Sequence, residues 1–193
     1  MTTNTIYWWL MDFDLVFKNI LESFQKEKIN FAIIGGFALQ AYGMTRTTQD
    51  IDFLVLIDNK EKVKKVMISQ GFELRHESKD VMNFFGILPI LGRVDFIIAH
   101  RQYARDMLKK AVEKEILSGK FKVKVITIED QIGFKVQSST NDKERHERDR
   151  IDIEWLLKSN YPELDMDLVR EYFKIFNREN ELEEMINKIK TNG

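Results

Sequence analysis

The sequence predicts an α/β (α+β) fold in which a mixed sheet with flanking helices is followed by a C-terminal helical bundle. Two observations predict it. Up to about residue 125, short strand-like apolar runs alternate with amphipathic helical stretches, and from Thr127 onward the apolar residues recur almost entirely at helical spacing. A chain of 193 residues is also long enough for one sizeable core with an appended helical part. We therefore predict an α/β core over residues 1–125 and a helical part over residues 126–193.

The core begins with an amphipathic helix over residues 13–28, in which apolar residues recur at helical spacing between charges. A buried strand over residues 31–34 then runs into a tight turn at Gly35-Gly36, and residues 37–42 suit a short helix. The same patterns predict a further helix over 59–70 and strands over 50–57, 72–75, 81–85 and 94–98.

The helical part is predicted to hold four helices, over residues 128–139, 146–158, 165–177 and 179–190. Tyr161-Pro162 lies between the second and third of them and marks a turn.

One stretch of the chain is strongly basic. Residues 101–124 contain eight Lys or Arg against three Asp or Glu, on a helix-like and then a strand-like segment. Six lysines form this basic patch: Lys109, Lys110, Lys114, Lys120, Lys122 and Lys124. An RNA partner would suit the patch, but an ordinary solvated face has the same composition.

The overall composition excludes several classes of function. The net charge of -1 gives no global attraction to nucleic acid or to an anionic membrane. The absence of cysteine excludes a disulfide framework, a thiolate zinc site and a cysteine nucleophile. The N-terminus does not read as a signal peptide and the longest apolar runs are too short to span a membrane, so we expect a cytoplasmic protein with no membrane partner.

Three aspartates are predicted to meet on one face of the sheet. Side chains two apart on a strand project to the same face, so Asp50 and Asp52 can offer oxygens to one ion, and the strand over 94–98 can bring in Asp95. Three such carboxylates repel one another unless cations neutralise them, and hard oxygen ligands favour Mg²⁺ or Mn²⁺. Gly35 and Gly36 would let backbone N–H groups approach a phosphate closely. We therefore predict Asp50, Asp52 and Asp95 as both catalytic residues and metal ligands.

This constellation resembles the nucleotidyltransferases of the DNA polymerase β superfamily. Their mark is a hydrophobic residue followed by Gly-Gly or Gly-Ser, a spacer, an Asp-hydrophobic-Asp strand and a later third carboxylate. The stretch IIGGFALQAYGMTRTTQDIDFLV further resembles the abortive-infection toxin type, the AbiEii-like proteins. Lys135 and the run RDRIDI at 148–153 resemble a Lys and a Lys-Asp-x-x-Asp-Ile pattern in the helical part of those proteins. Phe37 departs from the small or hydroxyl residue common after the glycines, so backbone contacts to phosphate are expected there.

Several residues are candidates for nucleotide binding: Gly35, Gly36, Arg46, Lys135, Asp149 and Asp152. Arg46 precedes the acidic strand, which is the strand over 50–57 that carries Asp50 and Asp52. It could bind a triphosphate bidentately, or it could be a surface arginine. Lys135 lies among apolar residues, so it is either a snorkelling surface lysine or a phosphate contact. Asp149 and Asp152 share a helical face, but acids in a first helical turn are also favoured by the macrodipole.

The resemblance implies a metal-dependent nucleotidyltransferase in which an NTP, bound with Mg²⁺ or Mn²⁺, transfers its NMP to an acceptor hydroxyl that Asp95 helps to activate. The acceptor stays open between an RNA end, a protein hydroxyl and a small molecule such as an antibiotic. The toxin type also implies a possible cognate antitoxin. The non-enzymatic alternative is a catalytically silent module that binds a partner protein, and metal-dependent NTP binding would separate the two classes.

Overall fold

The computed structural model describes residues 11–191, so the prediction that the N-terminus holds no signal peptide lies largely outside the described residues. The chain divides into two compact units, the first ending at Ile126 and the second beginning at Thr127. That these units correspond to separate domains stays a prediction. No helix within residues 11–191 is both long and apolar enough to cross a membrane.

The first unit is built on a seven-stranded sheet. Its strands are β1 (Phe31–Ile34), β2 (Asp50–Leu56), β3 (Phe72–Glu77), β4 (Val81–Gly86), β5 (Arg93–Ala99), β6 (Val112–Ile116) and β7 (Phe121–Val125). They are arranged in the order β3-β4-β5-β2-β1-β7-β6. The pairs β2–β5 and β1–β7 are parallel and the other four pairs are antiparallel, which confirms the predicted mixed sheet.

In the part of this unit that the structure describes, four α-helices accompany the sheet: α1 (Phe13–Lys26), α2 (Gly35–Ala41), α3 (Lys60–Ser69) and α4 (Gln102–Lys110). α1 begins where the Asp12 side chain accepts a hydrogen bond from the backbone N–H of Leu15, at 3.0 Å. The apolar sides of α1 and α3 join one face of the sheet in the core, where the rings of Phe53 and Phe96 on neighbouring strands stack at 5.3 Å. This face is therefore closed by packing, and the alternate side chains of β2 and β5 point to the opposite face.

The structure differs from the predicted elements at two places. α2 begins at Gly35 itself, because a φ of 65° at this glycine turns the chain from β1 directly into the helix without a separate loop. The strand-like part of residues 101–124 is a two-stranded hairpin, β6–β7, rather than one strand. Its turn runs through Leu117, Ser118 and Gly119, which all have positive φ.

Within residues 127–191 the second unit contains four α-helices, as predicted: α5 (Ile128–Asn141), α6 (His146–Asn160), α7 (Met166–Ile175) and α8 (Glu179–Thr191). The Pro-marked turn after Tyr161 separates α6 from α7. Val136, Leu157 and Phe173 are buried in this unit. Arg178 ties its helices together, because its guanidinium donates to the carbonyl oxygen of Val136 at 3.0 Å and to both carboxylate oxygens of Glu181.

Candidate active site

The three predicted aspartates meet on the face of the sheet opposite the core. Asp50 and Asp52 alternate along β2 with the fully buried Ile51 and Phe53, so the strand period directs both carboxylates away from the core. Asp52 lies directly opposite Asp95 in the register of the parallel pair β2–β5. One ligand oxygen from each of the three carboxylates lies within 4.8 Å of the others. The structure thus brings this acidic cluster together, while the catalytic and metal-binding roles of its members stay predictions.

The two glycines that precede the acidic strand in sequence lie against it in space. A Cβ atom at Gly35 would overlap the carboxylate of Asp52 and would lie only 2.8 Å from its Cγ. A Cβ atom at Gly36 would lie 2.5 Å from Oγ1 of Thr48. Gly35 therefore requires glycine for close approach to Asp52, and Gly36 requires it for close approach to Thr48 just before the strand. At Gly35 the positive φ adds a second requirement. Whether the glycine backbone also contacts a phosphate stays a prediction.

Two further residues of the site were missed by sequence reasoning, Arg93 and Asn83. The Arg93 guanidinium binds the Asp95 carboxylate at two points, with Nε donating to Oδ1 at 3.0 Å and Nη2 approaching Oδ2 at 2.5 Å. Nδ2 of Asn83 also donates to Oδ1 of Asp95, at 2.8 Å. The signal for Arg93 was its spacing, because a residue two before Asp95 on a strand shares its face. Asn83 is opposite Asp95 in the β4–β5 register, which the sequence does not specify.

The electrostatics of Asp95 reflect this setting. Burial raises the pKa of Asp95, because a carboxylate is poorly solvated there and its side chain is only 13% exposed. Arg93 and the amide of Asn83 act in the opposite direction by stabilising the ionised form, and the charge of Asp50 adds to the rise in the pKa. Asp50 itself accepts a hydrogen bond from the hydroxyl of Thr48 at 3.2 Å. Thr48, Asn83 and the cationic side chain of Arg93 thus all contact the acidic cluster.

Arg46 lies in the loop between α2 and β2, and its backbone carbonyl accepts a hydrogen bond from Nε2 of Gln40 at 2.7 Å. This bond anchors the loop that leads into the acidic strand. The predicted contact between the Arg46 guanidinium and a triphosphate stays a prediction.

Lys135, Asp149 and Asp152 form a buried ionic cluster inside the second unit. Nζ of Lys135 lies 2.7 Å from Oδ1 of Asp149 and 2.7 Å from Oδ2 of Asp152, and both carboxylates are 1% exposed. The two aspartates follow one another by three residues on α6 and therefore face α5 together. Lys135 is thus neither a snorkelling surface lysine nor an exposed cation, and nucleotide binding by this cluster stays a prediction.

The basic patch is partly compensated by acids. Three of its lysines have an acidic partner: Lys109 with Asp106, Lys120 with Asp14, and Lys122 with Glu113. Lys114 lies over the ring of Tyr42, with Nζ at 4.7 Å from the ring centroid. Asp106 and Glu113 are already counted among the acids of residues 101–124, so of these three partners Asp14 alone lowers the local surplus of positive charge.

The donor set of the acidic cluster fits a hard divalent cation. Asp50, Asp52 and Asp95 supply only carboxylate oxygens, which Mg²⁺ and Mn²⁺ prefer over the nitrogen and sulfur ligands of softer metals. A cation would also relieve the mutual repulsion of the three carboxylates.

A mixed sheet that presents three converging carboxylates beside a glycine pair defines the class of nucleotidyltransferase folds, and comparison with solved structures agrees. The solution structure of the antibiotic-resistance factor ANT(2'')-Ia matches with a TM-score of 0.61 at 15% identity, covering 90% of this chain and 96% of that chain. The lincosamide antibiotic adenylyltransferase LnuA, bound to lincomycin, matches with a TM-score of 0.51 at 18% identity, covering 74% and 95%. An antigenic nucleotidyltransferase-like protein from Paracoccidioides brasiliensis matches with a TM-score of 0.55 at 16% identity, covering 92% and 94%. At these identities the matches establish the fold.

The family follows from the sequence itself. Residues 93–192, just over half of the chain, match the model of the nucleotidyl transferase AbiEii toxin family of type IV toxin–antitoxin systems. The chain belongs to this family, and it is a nucleotidyltransferase that transfers an NMP group from an NTP to an acceptor. The matched range includes Asp95 and Lys135, whereas Asp50 and Asp52 precede it. No curated protein sequence matches the chain.

Proposed function

We propose that NMP transfer takes place at Asp50, Asp52 and Asp95 and depends on Mg²⁺ or Mn²⁺. The observation that carries this proposal is the convergence of three carboxylate oxygens to within 4.8 Å on the face of β2 and β5 opposite Phe53 and Phe96. Asp50, Asp52 and Asp95 would hold the cation. When bound, Mg²⁺ or Mn²⁺ would neutralise phosphate charge and favour attack at the α-phosphorus.

The residues of this chain would then have separate tasks. Asp95 would accept the proton of the acceptor hydroxyl while the hydroxyl oxygen forms a bond to the α-phosphorus. The bond from the α-phosphorus to the bridging oxygen breaks and pyrophosphate leaves with the electron pair. Gly35 and Gly36 would let the backbone approach the triphosphate closely, and Arg46 would bind the triphosphate oxygens. Nucleotide binding by Lys135, Asp149 and Asp152 would require the ammonium group of Lys135 to contact phosphate in addition to the two aspartates that hold it.

For the acceptor, we propose a hydroxyl on RNA or on a protein. Membership in a toxin family supports this choice, because a toxin must modify a component that the cell itself needs. A small antibiotic is the acceptor chemistry of two proteins that share the fold at 15% and 18% identity, which is too distant to carry the substrate across. The same membership supports a cognate antitoxin as partner and the cytoplasm, where NTPs are available, as location.

Label transfer tests this proposal directly. The protein would be incubated with each α-labelled NTP and Mg²⁺, together with total RNA, protein extract, or an aminoglycoside and a lincosamide. We expect label on RNA or protein, and no transfer by Asp52→Asn. Label on the antibiotics alone would overturn the proposed acceptor class, and transfer by Asp52→Asn at the wild-type rate would overturn the proposed site.

A catalytically silent module is the second candidate, and one observation favours it. Arg93 already contacts both carboxylate oxygens of Asp95, and Nδ2 of Asn83 also donates a hydrogen bond to Oδ1. A silent module would show no label transfer to any acceptor.

A further inference from the structure

We propose that Arg93 is a built-in counter-cation of the acidic cluster, which competes with the divalent cation for Asp95. Binding of the cation at Asp95 would then require the guanidinium to leave the carboxylate. This inference rests on the proposed metal site and assigns a role to a residue that is not one of its ligands.

The geometry of the pair supports competition. Arg93 makes a two-point contact with Asp95, at 3.0 Å from Nε to Oδ1 and 2.5 Å from Nη2 to Oδ2, so each carboxylate oxygen accepts a charged donor. Oδ1 accepts the Asn83 amide as well, at 2.8 Å. Oδ1 already accepts two donors, so a cation that binds it has to replace one of them, and a cation that binds Oδ2 meets the positive charge of the guanidinium beside it. Arg93 and the cation therefore occupy the same carboxylate in alternative states.

Arg93 interacts with other residues around the acidic cluster as well as with Asp95. The residue opposite Arg93 in the β4–β5 register is Phe85, and the guanidinium lies 5.6 Å from the centroid of its ring. The charges of Asp50 and Asp52 act on the guanidinium in addition to its contact with Asp95. The positive charge of Arg93 is thus stabilised by all three carboxylates, as the charge of a bound cation would be.

The energetic consequence follows from the two alternative states. A ligand that binds one state has its apparent affinity reduced by the fraction of molecules in that state. While Arg93 occupies Asp95, the cation meets a cluster with one carboxylate already neutralised. Removing the guanidinium should therefore strengthen cation binding in the absence of any nucleotide.

The test is a titration with Mn²⁺ alone, in which free Mn²⁺ is measured by electron paramagnetic resonance at physiological ionic strength. We expect Arg93→Gln to bind Mn²⁺ about tenfold more tightly than the wild type, since the competing state is lost. Arg93→Lys keeps the charge and loses the two-point contact, so its gain should be smaller. Unchanged or weaker Mn²⁺ binding by Arg93→Gln would overturn the inference.

A matched control separates competition from a general change in charge. Arg75 is an exposed arginine of the same unit, on β3, where it pairs with Glu73. Arg75→Gln removes the same charge from a side chain that is 62% exposed, and it should leave the Mn²⁺ affinity unchanged. An equal gain in Arg75→Gln and Arg93→Gln would show a long-range charge effect and would overturn competition at Asp95.

The outcomes also distinguish this inference from the proposed function. Asp52→Asn should lose Mn²⁺ binding in both the wild-type and the Arg93→Gln background. If neither the wild type nor Arg93→Gln binds Mn²⁺, the metal site fails and the competition fails with it. If both bind Mn²⁺ with the same affinity, the metal site stands and only the role of Arg93 is overturned.

Discussion

At position 35 the absence of a side chain is what lets the start of α2 lie against the Asp52 carboxylate. Gly35→Ala should destabilise the protein by about 1–2 kcal/mol for the left-handed backbone alone, and its Cβ would displace Asp52. We therefore expect a lower free energy of unfolding in urea together with weaker Mn²⁺ binding.

Gly43→Ala is the control for this change. Gly43 also has a positive φ, of 92°, but a Cβ there meets no atom within 4 Å. This variant should lose stability and keep its Mn²⁺ affinity. Wild-type Mn²⁺ affinity in Gly35→Ala would contradict the role given to the close approach.

The buried cluster of Lys135 also predicts a large effect of one substitution. Lys135→Met removes the cation and leaves the carboxylates of Asp149 and Asp152 buried without it. Breaking a buried ion pair from one side costs about 3–5 kcal/mol, so we expect a loss of that size in the free energy of unfolding measured in urea. Asp149→Asn should cost less, because Lys135 keeps Asp152. A loss in Lys135→Met no larger than that of an exposed ion pair would contradict the burial of this cluster.

These residues show how far a sequence can predict a site. The alternation of side chains along a strand was enough to place Asp50 and Asp52 on one face. The same alternation places Arg93 and Asp95, which are also two residues apart, on one face. The contact of Asn83 with Asp95 could not be predicted, because it depends on the register between two strands. Lys135 was predicted as either exposed or phosphate-binding. It is buried by the packing of α5 on α6, and the sequence of neither helix alone specifies that packing.

At the scale of elements, the β6–β7 hairpin decides what the basic patch can do. Glu113 is opposite Lys124 and Glu115 is opposite Lys122 in the register, so acids and lysines face each other across the strands. On a single strand, each phosphate contact contributes about 0.7 to the slope of the logarithm of the binding constant against the logarithm of the salt concentration. Replacing Lys120, Lys122 and Lys124 with Gln should therefore change this slope for RNA by less than about 0.7. A slope that falls by about 2 in a filter-binding assay would instead assign the hairpin to RNA.

The contact between α5 and α7 predicts a dependence of stability on pH. The hydroxyl of Tyr172 donates to Oδ1 of Asp130 at 2.6 Å, and burial, together with Asp130, raises the pKa of Tyr172 above its ordinary value of 10.0. The folded chain thus keeps this proton at a pH where the unfolded chain has lost it. The resulting stabilisation is complete below about pH 10 and is lost as the pH rises further.

Urea unfolding between pH 8 and 11 measures this effect. The free energy of unfolding should fall above about pH 10 in the wild type, and less steeply in Tyr172→Phe, which has no proton to lose. Equal slopes in the two proteins would show that Tyr172 does not carry the effect.

At the scale of the whole molecule, the order of elements was predictable and the order of strands was not. Helical and strand periods run along the chain, so α1, β1 and β2 and the four C-terminal helices could be read from them. The position of β1 between β2 and β7 depends on pairings between distant segments. The two strands of the β6–β7 hairpin were not predicted separately, because both are short and the turn between them differs little from them in hydrophobicity.

The division of the chain into two units predicts where a cation acts. The acidic cluster lies on β2 and β5 of the first unit, whereas α5 and α6 belong to the second. A ligand that binds the folded state protects the segment that opens to release it, so Mn²⁺ alone should slow amide hydrogen exchange in β2 and β5. Exchange in α5 and α6 should stay unchanged, and Asp52→Asn should lose the protection of β2 and β5. Protection by Mn²⁺ in α5 and α6 that persists in Asp52→Asn would place a cation in the second unit and contradict the assignment.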